Sequence, residues 1–343
     1  MDLDTLLPDV ERYVSGGALR SVPNLSAQQP LRVQPLAQGE YNLNYVLQQG
    51  DRRWVLRVNI GSQIEREDQI LYEYRALRLL RQSGVTPRPF YVDDSRRHLD
   101  YGLLVMEYLP GESLDYRRDL EATARLFARV HTVEVPARDN PLIEENRPLS
   151  MTYEECARLL PVYLESELAD PSLRDYLAEV LSWAADARHR EQYFIEDPWR
   201  CIINTEVNSG NFIANRETHT LYLVDWEKPL YGDPSQDLSH FCAPMTTLWK
   251  TEYRMSPQAK WHFLETYQSA VPDPHLRDTI VERVRLRDPF NYLRGISWSA
   301  MAWVAYQTGD HAVQNEDTFR KIETYLNLDF QRSLFDPYLS GTR

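Results

Sequence analysis

Apolar and polar positions change their period several times along the chain. "DLDTLLPDVERYVSGGAL", residues 2–19, is acidic and amphipathic and predicts a helix closed at Gly16-Gly17. A loop with Pro23 and Pro30 follows. From 32 to 58 the period drops to two. "YNLNYVLQQ" and "RRWVLRV" flank Gly50-Asp51, a β-hairpin turn signal. In "EDQILYEYRALRLLRQSG", Ile70, Tyr74, Leu77 and Leu80 recur at helical spacing, with Gly84 where a C-cap would sit. "PFYVDD" and "YGLLVMEYL" read as two more strands. After Gly111 strands nearly stop. "DLEATARLFARVHTV" places Leu120, Ala124, Phe127 and His131 on one helical face, with Asp119 as N-cap. Residues 151–190 read as mostly helical and 201–226 as a short β patch. From about 256 the pattern is helical again, with a strongly apolar helix at 291–307. There is no internal repeat. The order predicts an α+β chain: a small β-rich unit with one helix, then a large helical unit with a small β insert.

The length of 343 residues suits two lobes better than one core. Apolar residues at 43% and charged residues at 26% are ordinary for a globular chain. The net charge of −13 argues against nucleic acid as the main partner, which would require a basic footprint. It is compatible with a cationic small substrate, and equally with nothing more than solubility. No apolar run approaches the roughly 18 residues of a membrane span, and the N-terminus lacks the basic start and apolar stretch of a signal peptide. Cys156, Cys201 and Cys242 are far apart, odd in number and without metal-ligand spacing. A reducing cytoplasm is the expectation.

The chemistry gathers around "LYLVDW". Alternation puts Leu221, Leu223 and Asp225 on one side of a strand. A carboxylate at the end of a buried strand is costly unless it is paired or binds a metal. Asn211 lies across the expected hairpin, and Asn and Asp oxygens suit a hard cation such as Mg²⁺. Glu206, five residues before Asn211, could accept a proton from a hydroxyl nucleophile. A loop carrying a carboxylate and an Asn, followed by a strand carrying an Asp, is the layout of phosphoryl transfer in kinases.

With these residues in view, "NTEVNSGN" (204–211), "VDWE" (224–227) and "GDPSQDLSHF" (232–241) resemble the aminoglycoside phosphotransferase and choline kinase family, which has a two-lobed protein-kinase-like fold. The resemblance spans roughly residues 35–330. It implies an N-terminal helical extension at 1–30, a small β-rich nucleotide-binding N-lobe at 31–108, and a mainly helical C-lobe at 109–343 holding the catalytic loop and acceptor site. "LAQGEYNLNYVL" is similar to the family's nucleotide-binding hairpin through Gly39 and Asn42. Arg57 in "WVLRV" stands where the family presents a cation to the phosphates, and Glu73 matches the helix residue that pairs with it. "LLVMEYLPGESL" resembles the interlobe linker, where Met106, Glu107, Tyr108 and Leu109 would hold adenine. The implied activity is transfer of the γ-phosphate of ATP, with Mg²⁺ on Asn211 and Asp225, to a hydroxyl of a small acceptor, cationic in the manner of choline or an aminoglycoside. Glu206 would be the catalytic carboxylate.

The chain departs from the family at two positions. The family's loop reads His-x-Asp where this sequence has Asn204 and Glu206. Glu is longer than Asp by one carbon–carbon bond, about 1.5 Å, and a misplacement of about 1 Å can cost on the order of 10²-fold in rate. Two readings follow: an active kinase whose loop has adapted, or a catalytically weak nucleotide-binding pseudokinase with a regulatory role. Asn204 is expected to hold backbone carbonyls in place of the His. Asp233 would start a turn. Asp237 would cap a helix or, as in the family, brace the catalytic loop. His131 on its apolar face reads as structural rather than catalytic. Tyr292, Trp298 and Trp303 read as core, or as a cation–π cage of the choline kinase kind.

Overall fold

The computed structural model describes residues 2–26, 29–309 and 316–342. The chain divides into two compact units. The first comprises Met1–Ser113, Thr132–Ile143 and Phe212–Leu230. It opens with helix α1 (Leu3–Ser15), whose start is fixed by the Asp2 carboxylate accepting from Thr5 N–H at 2.8 Å. Strands β1 (Arg32–Gln38), β2 (Asn42–Gln49) and β3 (Arg52–Asn59) follow, then helix α2 (Gln69–Leu80), β4 (Pro89–Asp93) and β5 (Gly102–Glu107). The five strands form an antiparallel sheet in the order β1-β2-β3-β5-β4. The β2–β3 register pairs Gln49 with Arg52, so the turn is Gly50-Asp51 alone, and Gly50 takes φ +60°.

Alternation along β3 decides what each face of the sheet meets. Trp54, Leu56 and Val58 pack with Leu43, Tyr45 and Leu47 of β2 and with Leu6, Val10 and Tyr13 of α1. The intervening Arg57 is turned to α2 instead. Helix α1 is therefore part of the sheet's core: four of its side chains are buried, each worth roughly 1.5–3 kcal/mol of apolar transfer. Tyr13 adds a hydrogen bond to Asp93 at 2.6 Å. Helix α2 keeps the predicted spacing, but its buried aromatic is Tyr72, and Tyr74 is only half-buried. The hydroxyl of Tyr72 explains the choice, because it donates to the Pro229 carbonyl and accepts from Ile143 N–H. A 3₁₀ turn continues α2 to Ser83, and Gly84 ends it at φ +64°. A side chain at Gly102 would meet Ile70 Cγ2 of α2 at 2.5 Å, so β5 can start there only with glycine. A small antiparallel sheet completes the unit: β6 (Glu112–Ser113), β7 (Phe212–Asn215) and β8 (Thr220–Leu223), with β7 in the middle.

The second unit comprises Leu114–His131, Glu144–Asn211 and Tyr231–Arg343. Its helices are α3 (Tyr116–His131), α4 (Pro148–Leu159), α5 (Pro161–Leu164), α6 (Pro171–Ala187), α7 (Gln192–Glu196), α8 (Ser235–Cys242), α9 (Pro244–Thr247), α10 (Pro257–Ala270), α11 (Pro274–Thr308), α12 (Glu316–Tyr325) and α13 (Leu328–Leu339). Leu149, Leu177, Val180, Phe290, Leu293, Ile296 and Phe335 lie at the centre of its core. Two expectations need correction. Helix α3 starts at Tyr116, not after Asp119. The Asp115 carboxylate takes Arg117 N–H at 2.9 Å and Asp119 reaches back to Asp115 N–H at 2.9 Å, a reciprocal cap that moves the start upstream. The apolar helix expected at 291–307 is the second half of α11, which is 35 residues long and runs through Pro289. Its first half hides from pattern reading because Arg283 and Arg287 are fully buried on ion pairs. Arg283 meets Asp233 and Asp197, both at 2.6 Å, and Arg287 meets Glu145 at 2.5 Å. Among the described residues no helix is long and apolar enough to cross a membrane.

Candidate active site

In the first unit the focus is Arg57. Strand β3 delivers its guanidinium to three acceptors: Glu73 Oε1 at 2.6 Å, Asp225 Oδ1 at 3.0 Å and Asn44 Oδ1 at 3.0 Å. Glu73 is 2% exposed. Burial pushes its carboxyl above the usual range, against the pull of Arg57. Burial likewise opposes the charge of Arg57, but Glu73 and Asp225 outweigh it and hold the guanidinium firmly protonated. Asp225 sits two residues beyond β8, at φ +62°, so the alternation of Leu221 and Leu223 does not extend to it. Instead the backbone turns, with Trp226 fully buried and its indole N–H on the Leu223 carbonyl at 3.0 Å. The next residues are tied down from three sides. Asn42 Nδ2 donates to the Glu227 carboxylate, Gln69 to the Glu227 carbonyl, and Tyr72 to the Pro229 carbonyl.

Other nucleotide-site candidates share this unit. Gly39 N–H is spent on the Asn42 carbonyl at 2.8 Å, closing the β1–β2 turn. The Asn42 side chain bridges Glu227 and Asn59, the latter at 3.0 Å. Met106 is buried in β5, and Glu107 N–H donates to the Arg88 carbonyl at 2.9 Å while its carboxylate pairs with the Arg88 guanidinium. Tyr108 lies under Arg53 at 4.1 Å, and Leu109 is buried.

In the second unit the focus is the loop after the short strand Cys201–Ile203. Asp237, on α8 and fully buried, accepts from Asn204 N–H at 2.7 Å and from Thr205 N–H at 2.9 Å. Thr205 takes φ +72°, which a β-branched residue tolerates only where the surroundings enforce it. Asn204 Oδ1 then accepts Glu206 N–H at 3.0 Å, and Asn211 Nδ2 donates to the Glu206 carbonyl at 2.7 Å. The loop is thus closed on itself, with the Glu206 side chain half-buried. The Asn204 oxygen thus serves a backbone N–H, as in an Asx turn. His131, 2% exposed, lies 3.4 Å from Asp237 and 3.0 Å from the Tyr267 hydroxyl, as a structural histidine would. Asp233 accepts Ser235 N–H at 3.0 Å, as a turn-starting residue does, and additionally holds Arg283.

A family model of phosphotransferase enzymes matches residues 32–271. The chain belongs to the phosphotransferase enzyme family. Its fold is the family's α+β protein-kinase-like fold, an antiparallel five-stranded sheet followed by a mostly helical region. Solved structures agree. The choline kinase of Cryptosporidium parvum Iowa II matches with a TM-score of 0.64 at 13% identity, over 96% of this chain and 97% of that one. The ethanolamine kinase of Plasmodium vivax matches with 0.64 at 14% identity, over 95% and 89%. A spectinomycin phosphotransferase solved with ADP and spectinomycin matches with 0.56 at 12% identity, over 87% and 89%. At such identities the likeness is one of fold. No curated protein matches the sequence.

In this phosphotransferase-family chain, Arg57, Glu73 and Asp225 meet in one unit, and Glu206 and Asn211 share a loop in the other. The aromatic trio on α11 does not converge. Tyr292 sits beside Lys260, Trp298 packs edge-on against Trp249 at 5.5 Å, and Trp303 against Tyr163 at 5.7 Å. Sequence reading missed Asn44, Gln69 and Tyr72, which hold the Arg57 and Glu227 segment. Period two along β2 could have found Asn44, since it places that residue on the face opposite Leu43 and Tyr45.

Proposed function

We propose that the chain is an ATP-dependent small-molecule kinase acting on an acceptor hydroxyl. The observation that carries this reading is the buried Arg57 guanidinium paired with Glu73 and set beside Asp225: kinases pair a strand cation with a helix glutamate and use a following aspartate for Mg²⁺. The ADP in the structure of the spectinomycin phosphotransferase supports a nucleotide for this fold. Arg57 contacts the ATP phosphates. With Gly39 and Glu107 N–H already spent inside the protein, the main chain of Tyr108 and Leu109 is the better adenine contact. Asn42 shapes the hairpin through Glu227.

The oxygen donors fit a hard cation. Asp225 brings a carboxylate, and Asn211 has its Nδ2 committed to Glu206, leaving Oδ1 as a ligand. Mg²⁺ held there would neutralise charge on the transferring phosphates. Glu206 orients the acceptor hydroxyl and takes its proton as the oxygen attacks the γ-phosphorus. The new P–O bond forms, the bond from phosphorus to the β,γ-bridging oxygen breaks, and ADP leaves. The net charge of −13 favours a cationic acceptor, of amino-alcohol or aminoglycoside type. With Tyr292, Trp298 and Trp303 dispersed, an aromatic cage built from them is not part of the reading. Three unpaired, buried cysteines suit a reducing compartment such as the cytoplasm.

The test is ADP release from MgATP with a panel of amino alcohols, sugars and aminoglycosides, followed by single-turnover transfer to the selected acceptor. Glu206→Gln should lose most transfer while keeping ATP affinity, because a transition-state interaction is removed. Glu206→Asp should be slower than the parent, its carboxylate drawn back by about 1.5 Å. A much faster Glu206→Asp would favour the pseudokinase reading. A fully active Glu206→Gln would remove Glu206 from the mechanism.

A further inference from the structure

The first unit holds a cleft whose lining the mechanism above does not use. Arg75, Arg78 and Leu79 share one face of α2, at positions i, i+3 and i+4, and Asp139, Asn140 and Pro141 line the cleft with them. The cleft measures about 470 Å³, room for a tetrahedral oxyanion and several waters at roughly 30 Å³ each. The 139–141 segment is tied to the helix close by, where the Tyr72 hydroxyl accepts Ile143 N–H at 3.1 Å.

Donors outnumber acceptors in this lining. Arg75 Nη1 meets Asp68 at 3.3 Å, a carboxylate that already holds Arg66 at 2.6 Å. The Arg78 guanidinium has no hydrogen bond or ion pair among the described residues, and meets only the Tyr74 ring at 5.9 Å. Like charges one turn apart on a helix repel each other. Asn140 Oδ1 accepts Leu142 N–H at 3.0 Å, which fixes the amide's orientation. Its Nδ2 is buried without a partner among the described residues, and a buried donor left unpaired costs free energy. One carboxylate faces these donors: Asp139, at φ +64° and likewise unpaired among the described residues.

We infer that this cleft is a binding site for inorganic phosphate. Guanidinium donors suit phosphate oxygens. An anion between Arg75 and Arg78 relieves their repulsion and offers Asn140 Nδ2 an acceptor. Asp139 decides which oxyanion is taken. A carboxylate repels a fully deprotonated anion but accepts a hydrogen bond from one that keeps an O–H. Inorganic phosphate keeps such a proton at neutral pH, whereas sulfate and the dianion of a phosphate monoester do not. Arg75 and Arg78 are exposed, while Glu73 is buried on the same helix, so the site stands whether or not the chain transfers phosphate.

The test is calorimetric titration of the full chain with sodium phosphate, sodium sulfate and methyl phosphate at constant ionic strength, at about pH 8, where the monoester is a dianion. A parallel set contains Mg²⁺ and a non-hydrolysable ATP analogue, which removes any phosphate drawn to the nucleotide site. The parent should bind phosphate in both sets, about tenfold or more tighter than sulfate and methyl phosphate, the scale of one hydrogen bond to a charged group. Arg78→Gln should weaken phosphate by about tenfold or more on the same scale. Arg75→Gln should weaken it less, and the double variant should abolish binding. Asp139→Asn, which the left-handed backbone tolerates, should bring sulfate and methyl phosphate up to the affinity of phosphate. Melting temperatures establish that each variant is folded; should an arginine variant fail to fold, the loss of selectivity in Asp139→Asn decides alone. No phosphate binding by the parent overturns the inference, as does an unchanged affinity in the folded double variant. Binding that the ATP analogue abolishes belongs to the nucleotide site and also overturns it. Equal binding of phosphate and sulfate by the parent does the same, because Asp139 would then select nothing.

Discussion

Asp237 and Thr205 are bound by a 2.9 Å hydrogen bond from backbone to carboxylate, and the same carboxylate takes Asn204 N–H at 2.7 Å. One buried side chain thus satisfies two consecutive N–H groups, the second on a residue of positive φ. The anion is matched to two donors, and an amide is not: its NH₂ would face an N–H. Asp237→Asn is expected to cost roughly 2–3 kcal/mol, the scale of a lost charge-assisted hydrogen bond in a buried site, and to reduce phosphoryl transfer strongly. Urea denaturation and ADP release measure the two effects. Parental stability and rate in this variant would show that the loop holds its shape without the carboxylate.

The pair of Arg57 and Glu73 makes a second prediction. Both are nearly inaccessible, 6% and 2% exposed. Deleting one partner strands the other's charge in a dry site, at a cost of roughly 3–5 kcal/mol. Arg57→Met and Glu73→Leu should each be severely destabilising, and the double variant should lose distinctly less than their sum. A double-mutant cycle by urea denaturation reads the coupling. Additive losses would mean that Asp225 and Asn44, not Glu73, hold the arginine.

How much of this was legible follows from which signals are local. The β2–β3 hairpin was readable because Gly50-Asp51 is a turn signal flanked by period-two strands, and the β7–β8 hairpin because its apolar positions alternate. Asp237 and its loop followed from motif order. What stayed hidden was set by contacts distant in sequence. Tyr72 was buried over Tyr74 because its hydroxyl reaches Pro229, 157 residues away. The first half of α11 was masked because Arg283 and Arg287 occupy core positions that only Asp197, Asp233 and Glu145 make tolerable. Asp225 was placed on the strand by alternation, but a left-handed turn, invisible in residue pattern, takes it off.

Acid sensitivity follows from Asp197. Burial works against its charge, but the hydrogen bond from His275 and the Arg283 guanidinium outweigh it and hold the carboxyl below its usual 3.8. A folded pKa below the unfolded one gives stability that is present above pH ~4 and is lost as pH falls through the folded value. Asp197→Asn should therefore lower the melting temperature at pH 6 and narrow the difference from the parent at pH 2.5–3. Calorimetric scans at both pH values check the sign. A difference that widens on acidification would contradict it.

The final prediction concerns Asp225 and Mg²⁺. Its Oδ1 already meets Arg57 at 3.0 Å, and its backbone stands at φ +62°, a conformation that costs most residues roughly 1–2 kcal/mol but that Asn visits readily. Asp225→Asn is thus the informative substitution, since Asp225→Ala would add backbone strain to the loss of charge. The amide keeps an oxygen where the carboxylate was but no anion, and a hard divalent cation binds an anionic oxygen far better. With ATP alone, the variant should bind at least as well as the parent, because a negative charge near the phosphates is gone and Arg57 keeps Glu73. With Mg²⁺ present, the parent should gain affinity and the variant should not. Calorimetric titration of ATP into both proteins, with and without Mg²⁺, gives four values, and the assignment rests on the difference between the two gains. Equal gains in parent and variant would take the metal off Asp225 and leave that carboxylate as a partner of Arg57.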